Sequence, residues 1–262
     1  MSGTLTIDAG NSHMTLALYD ERRELRATRR IHTRPFRTAP QLIACWTAML
    51  TDHDLQPPQV HLAISSVVPD YNILLKDAGK SMEVGSFHWV DVDSPHGFRM
   101  LDSVRKEIGA DLIAGLVGAR SKTSGPLVVV DAGTATTFTL LSAADEILGV
   151  AILPGIKTQI KMLMEKAPHL ADSVLVEIPE APYGTNTIAS IQSGIMFGHA
   201  HMIEGFVQRY RGLPGMEGCQ VFGCGGLFTT IARLCPGVDR AEAHLVNDGC
   251  LILSQRQVQE AL

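Results

Sequence analysis

Apolar and polar positions alternate over residues 4–8 and again over 15–19, where Leu16 and Leu18 share a face. Successive strand side chains point to opposite faces, so this period of two predicts a strand, a tight turn at Asp8-Ala9-Gly10-Asn11 and an antiparallel return strand. Apolar residues then recur at helical spacing over 41–50. Strand character returns at 61–68, where Pro69 stops it, and at 87–92. Residues 110–119 are small, apolar and helical, as suits a helix buried between two layers.

A second strand system opens at Leu127. Leu-Val-Val-Val runs into Asp131-Ala132-Gly133-Thr134, and 137–141 returns. The stretch 147–153 is the next strand, closed by Pro154-Gly155. Helical patterns cover 156–166, 187–210 and 227–234, and a short strand at 219–222 leads into Gly223-Cys224-Gly225-Gly226. The segment Leu5-Thr-Ile-Asp-Ala-Gly-Asn-Ser12 thus recurs half a chain later as Val128-Val-Val-Asp-Ala-Gly-Thr-Ala135. Such a repeat implies an α/β fold of duplicated domains, 1–121 and 122–262, joined at the seam 122–126, with a cleft between the halves.

The repeated turn suggests its chemistry. A glycine after a strand lets the backbone approach a phosphate with no Cβ in the way. Neighbouring N–H groups, with Asn11, Ser12 and Thr134 as side-chain donors, can then cradle the anion. A carboxylate beside such a turn cannot bind phosphate. It can hold Mg²⁺ through water, or a monovalent cation, which assigns Asp8 and Asp131 as cation holders and Gly10 and Gly133 to phosphate cradles. One copy alone would read as an ordinary strand-end turn; the duplication favours the phosphate site. Gly225 and Gly226 suit a nucleoside wall or a plain tight turn. Asp111, near the start of the small-residue helix, can serve as a base for an alcohol or as a helix-start dipole partner. His199 and His201 have no metal-ligand pattern and read as surface or interface residues, as do His13, His96 and His169.

Composition narrows the class. The chain of 262 residues carries a formal net charge of −5, with no basic stripe, which argues against a nucleic-acid partner. No apolar run is long enough to span a membrane. The five cysteines have no Cys-x-x-Cys spacing and no secretory signal precedes them, so a cytoplasmic chain with reduced thiols is expected.

Taken in order, these motifs resemble the type III pantothenate kinase family. Ile7-Asp-Ala-Gly-Asn-Ser12 is similar to its opening Asp-x-Gly-Asn-Thr/Ser motif, and Ile64-Ser-Ser-Val-Val-Pro69 to its Ser-Ser-Val-x-Pro segment. Gly109-Ala-Asp111 matches the first part of Gly-x-Asp-Arg. Asp131 to Thr137, Gly149 to Gly155, Asn186-Thr187 with Gly194, the loop ending at Gly226, and Asn247-Asp-Gly249 match the later motifs. The resemblance implies a duplicated actin-like (ribonuclease H-like) fold, a homodimer, ATP with Mg²⁺, and a monovalent cation such as K⁺ or NH₄⁺. It implies phosphorylation of pantothenate, with Asp111 as proton acceptor, Asp131 as monovalent-cation ligand, Thr134 as an ATP contact and Thr187 as a pantothenate contact. Gly109, Ala110 and position 112 fall in the substrate segment.

The sequence departs from the family there. Leu112 stands where the family has Arg, Thr139 where it has Asp, and Val150 where it has a second Gly; no Tyr or Pro occurs in Leu101-Asp-Ser-Val-Arg-Lys106. Arg presents a charged fork to a carboxylate and Leu presents none. Either Arg99, Arg105 or Lys106 supplies that charge, or the chain phosphorylates another small alcohol or binds nucleotide without catalysis.

Overall fold

The computed structural model describes residues 2–167, 169–170 and 174–260. In chain order the elements are β1 (Gly3–Ala9), β2 (His13–Asp20), β3 (Leu25–His32), α1 (Ala39–Thr51), β4 (Val60–Ser66), α2 (Pro69–Ser81), β5 (Ser86–Trp89), β6 (Arg99–Met100), α3 (Asp102–Arg105) and α4 (Ala110–Arg120). There follow β7 (Leu127–Ala132), β8 (Ala135–Leu141), β9 (Glu146–Pro154), α5 (Ile156–Lys166), α6 (Thr187–Arg211), β10 (Gln220–Cys224), α7 (Phe228–Ile231), β11 (Arg240–Ala241) and α8 (Leu245–Glu260).

The chain forms two compact units: residues 1–97, 101–122 and 244–262 make the first, and 98–100 with 123–243 the second. The first holds a sheet of order β3-β2-β1-β4-β5, in which β1, β2 and β3 pair antiparallel while β4 and β5 run parallel to β1 and to each other. The second sheet has order β11-β10-β7-β8-β9-β6. Its strands β7 to β11 repeat the order and sense of β1 to β5, with β6 added at the edge. The repeat read from two turns therefore extends through both sheets. The turns differ in length: Gly10, Asn11 and Ser12 separate the first hairpin's strands, but only Gly133 and Thr134 separate the second's.

The sequence pattern predicts no β3, α2, β6, α3, β11 or α8, and three of these have a physical reason. In the edge strand β3, Arg29 breaks the alternation of Leu25, Ala27 and Ile31; charges such as Arg26, Arg29 and Arg30 keep an exposed edge from pairing with other chains. Pro69 ends β4 but also begins α2, where its fixed φ and missing N–H suit the first helical turn. Helix α8 ends in a polar stretch that dilutes its period.

Helix α8 also corrects the division at residue 121. It belongs to the first unit, not to the half that precedes it in sequence. Glycine allows this: an added Cβ at Gly249 would lie 1.8 Å from the Ala114 carbonyl oxygen, and one at Gly118 2.2 Å from that of Leu245. The α4 and α8 backbones therefore touch. Asn247, buried, donates to Thr6 Oγ1 (3.0 Å) and to the Thr15 carbonyl (3.2 Å), tying α8 to β1 and β2. Asp248 accepts from the Tyr19 hydroxyl at 2.8 Å and pairs with Lys122 at 3.1 Å. The motif Asn247-Asp-Gly249 thus has three packing tasks.

The first unit's core lies between its sheet and α1 and α2, around Ile7, Leu16, Trp46, Tyr71 and Leu75. The second unit's core gathers Val130, Phe138, Met196, Ile203 and Phe228. Among the described residues, no helix is long and apolar enough to cross a membrane.

Gly249→Ala forces α4 and α8 apart, and overpacking of this kind costs about 1–3 kcal/mol. Thermal unfolding should show a melting temperature lower by roughly 5 °C or more. Gly205→Ala on α6, where an added Cβ meets nothing within 4 Å, should instead leave it unchanged or raise it by a few degrees.

Candidate active site

In the first unit, the site is built at the strand ends. Asp8 is next to last in β1 and pairs with Thr15 on β2 and Ser65 on β4, so all three side chains share one face of the sheet. The Gly10 N–H closes the turn on the His13 carbonyl at 3.0 Å. Thr33, fully buried, braces it from outside: its hydroxyl donates to the Gly10 carbonyl at 2.6 Å and its N–H to the Ser12 carbonyl at 3.1 Å. Asn11 and Ser12 are exposed at the tip.

Beside this turn β4 ends, and the Val67 N–H donates to the Ala9 carbonyl at 3.1 Å. Val67 in turn packs on Gly109, the N-cap of α4. A Cβ at Gly109 would stand 2.5 Å from Asp111 Oδ1, so a larger residue there would make that carboxyl shift from its present seat. Asp111 accepts from the Leu112 N–H at 2.8 Å. Burial raises its pKa above the usual carboxylate range, and backbone donors, that of Leu112 first, oppose the rise in part. The thiol of Cys250 on α8 is pushed well up, first by its burial, then by the charges of Asp8 and Asp111. Two carboxylates and a neutral thiol therefore share one neighbourhood. The hydroxyl of Ser65, also there, is buried with no hydrogen-bond partner.

The second unit repeats the plan with glycine closer in. Asp131 pairs with Thr137 on β8 and Cys224 on β10. The Gly133 N–H closes its turn on the Ala135 carbonyl at 2.9 Å, and the Leu227 N–H donates to the Ala132 carbonyl at 3.2 Å, the counterpart of Val67 to Ala9. Gly225, at φ +91°, lies against the aspartate: an added Cβ would be 2.2 Å from Asp131 Oδ1 and 2.7 Å from the Ala132 nitrogen. The Thr134 carbonyl is gripped by the start of α5, from the Gly155 N–H at 3.0 Å and the Thr158 hydroxyl at 2.6 Å. The Thr137 hydroxyl is buried and unpartnered, as Ser65 is.

These arrangements refine the expected cradles. The N–H groups of Gly10 and Gly133 are spent on the turns. Asn11 and Gly226 make no hydrogen bond among the described residues, so their N–H groups are open to an acceptor. Among the described residues, no three His, Cys, Asp or Glu side chains gather into a metal-holding group. A cation beside Asp8 or Asp131 would draw on that carboxylate, the orphaned hydroxyl of Ser65 or Thr137 next to it, and phosphate and water oxygens; such an all-oxygen set fits Mg²⁺ or a monovalent ion.

Four expectations are placed differently by the structure. His199 and His96 are not surface residues: His199 is 2 % exposed, bonded to Thr136 and Gln159, and His96 is buried as well. Arg99 lies in the second unit, where it donates to the Ala144 carbonyl at 3.2 Å. Arg105 is paired with Asp93. Lys106 is exposed, and Leu112 is half-buried. Thr187, exposed in the second unit, begins α6 behind Asn186, whose side chain caps the helix by accepting from the Ala189 N–H at 3.0 Å. Sequence reasoning missed Thr33 and Cys250 and gave Ser65, inside the Ser-Ser-Val-x-Pro segment, no role; only strand register and the return of α8 bring Ser65 and Cys250 to Asp8.

The model of the type III pantothenate kinase family matches residues 4–209. The type III pantothenate kinase of Desulfosudis oleivorans is 32% identical over 253 residues, covering 95% of this chain and 97% of its own. In fold the chain is similar to a conserved Campylobacter jejuni protein assigned to a Baf family of transcriptional activators (TM-score 0.56, 16% identity, 97% and 98% of the two chains). It is also similar to component A of the (R)-2-hydroxyglutaryl-CoA dehydratase of Acidaminococcus fermentans (TM-score 0.51, 12% identity, 100% and 99%). The two sheets flanked by helices, which share the strand order 3-2-1-4-5, are those of the duplicated actin-like fold. With its family model matched from β1 into α6 and a relative aligned almost end to end, the chain belongs to the type III pantothenate kinase family.

Proposed function

We propose that this chain transfers the γ-phosphoryl group of ATP to the hydroxyl of pantothenate, the first step towards coenzyme A. The observation that carries the chemistry is the seating of Asp111 on Gly109, where a carboxyl with raised pKa shares with Asp8 the neighbourhood of Cys250. A base for an alcohol gains proton affinity as its pKa rises towards the working pH. In the transfer the substrate oxygen bonds to phosphorus, the bond from phosphorus to the ADP oxygen breaks, and the hydroxyl proton passes to Asp111. The exposed turn at Asn11 and Ser12 and the loop at Gly225 and Gly226 supply donors to phosphate. Asp131 would hold a monovalent cation, and Asp8 would hold Mg²⁺. Bound Mg²⁺ supplies neutralisation of the charge on the phosphate oxygens. The working form is a cytoplasmic homodimer in this reading, with Gly109, Ala110, Leu112 and Thr187 on the acceptor side.

A second reading rests on Leu112. With Arg99 and Arg105 engaged elsewhere, Lys106 is the remaining cation of that segment, and an acceptor without a carboxylate would suit the apolar side chain better. Purified protein assayed for ADP release decides between the two. Release that depends on pantothenate, Mg²⁺ and K⁺ or NH₄⁺ supports the first. Release stimulated only by an uncharged alcohol supports the second, and nucleotide binding without turnover under any acceptor removes both. Leu112→Arg should lower the KM for pantothenate, by roughly tenfold, as expected for a charge-assisted contact worth about 1.5 kcal/mol.

Asp111→Asn should cut phosphoryl transfer by about 10²–10⁴-fold while nucleotide affinity stays. The same change should raise the melting temperature. Burial lifts the folded-state pKa above that of the unfolded chain, so above the folded pKa the ionised carboxylate costs stability. That cost fades as pH falls through the folded pKa and is gone below the unfolded one. The thermal advantage of Asp111→Asn over the natural chain should therefore shrink on acidification; a variant less stable at neutral pH would contradict the burial argument.

A further inference from the structure

We infer that His199 is a positioning residue for the nucleotide turn, joining the two elements that hold Thr134. Helix α6 buries it in the second unit, where its ring spans two hydrogen bonds. An amide nitrogen only donates, so Gln159 Nε2 gives its hydrogen to His199 Nδ1 at 2.8 Å. The other ring nitrogen, Nε2, then carries the proton and donates to Thr136 Oγ1 at 3.0 Å. This neutral tautomer agrees with the surroundings, since burial alone pushes the imidazole down to about 4.

Both partners lead to Thr134. Thr136 is two positions further along the same hairpin, at the start of β8. Gln159 lies in the first turn of α5 and also donates to the Pro154 carbonyl at 2.9 Å, fixing that helix where it leaves β9. From the same turn, the Gly155 N–H and the Thr158 hydroxyl grip the Thr134 carbonyl. Gly155 allows the approach, since a Cβ there would stand 2.2 Å from the Gly133 carbonyl oxygen. The imidazole is thus the tie between β8 and α5, and the Gly133-Thr134 turn is the piece held between them. The role rests on the reading of that turn as an ATP phosphate site.

The test uses the full-length protein and measures Mg·ATP affinity by calorimetry, steady-state constants for both substrates, and the melting temperature. His199→Leu fills the space but removes both hydrogen bonds. It should weaken ATP binding and raise the ATP KM by roughly tenfold, with the pantothenate KM unchanged. His199→Asn, whose carbonyl can still accept from Gln159, should recover part of that loss. Thr158→Val keeps the core intact and removes one of the two donors to Thr134, so it should raise the ATP dissociation constant even if His199→Leu fails to fold. A purely structural histidine would give a lower melting temperature with ATP affinity unchanged, and that result overturns the inference, as does unchanged affinity in Thr158→Val. If the natural chain itself binds no ATP, the nucleotide-site reading fails first and the inference with it.

Discussion

Each unit depends on one backbone hydrogen bond made just past the end of its parallel strand pair. In the first unit the N–H of Val67 reaches the carbonyl of Ala9; in the second that of Leu227 reaches Ala132. The acceptor in both cases is the residue directly after the aspartate. Parallel strands leave their carboxyl ends open, and these bonds tie down the chain beyond them, one residue past β4 in the first unit and three past β10 in the second. That tie sets the loop after β4 against Asp8 and the glycine loop after β10 against Asp131. It fixes side chains as well as backbone, because direct register places Ser65 on the face of Asp8 and Cys224 on the face of Asp131. An aspartate there cannot turn away without unpairing the strand that carries it.

The two copies solve the same packing problem with different residues, and the difference explains what the sequence reveals. The repeat was legible because the turn needs the same Asp-Ala-Gly in both units. The hairpin strands, the buried α4 and the long α6 were legible from period alone. Their partners were not. Ser65 looks like any serine in an apolar strand until β4 is known to lie beside β1. Thr33 follows an arginine-rich edge strand with no apolar signal, yet it braces the first turn through two carbonyls. His199 stands in a helix with mixed faces, and nothing in its neighbours shows that Thr136 and Gln159 meet it. The site's glycines are visible in sequence as types, but what each glycine touches depends on contacts across long stretches of chain. Gly225 permits the approach to Asp131, Gly109 leaves room for Asp111, and Gly249 admits the Ala114 carbonyl.

Helix α8 shows how a packing need and a chemical one meet. It returns to the first unit and covers the sheet beside α4 with buried Leu245, Cys250 and Leu253. Its glycine brings it against α4 at Ala114, one turn past Asp111. Desolvation is what raises the Asp111 pKa. The carboxyl's basicity is therefore a consequence of burial, with no neighbouring base required. The same burial makes the ionised carboxylate unfavourable for stability, so this is a residue that the fold alone would not select.

The departure at Leu112 can be placed within this arrangement. The backbone N–H of residue 112 is the group that bonds Asp111, and any side chain at that position preserves the bond. Arg and Leu are thus equivalent for seating the base and differ only in what they offer a ligand. Everything that holds Asp111 in place is retained: Gly109 beneath it, Val67 beside it, and α8 above α4. Loss of the base's function would remove the reason to keep a buried carboxylate that costs stability, and a neutral residue of similar shape would fit the same space. The geometry therefore separates two properties that the family motif joins in neighbouring letters. The seat of Asp111 is intact, and the change bears only on what position 112 offers a ligand.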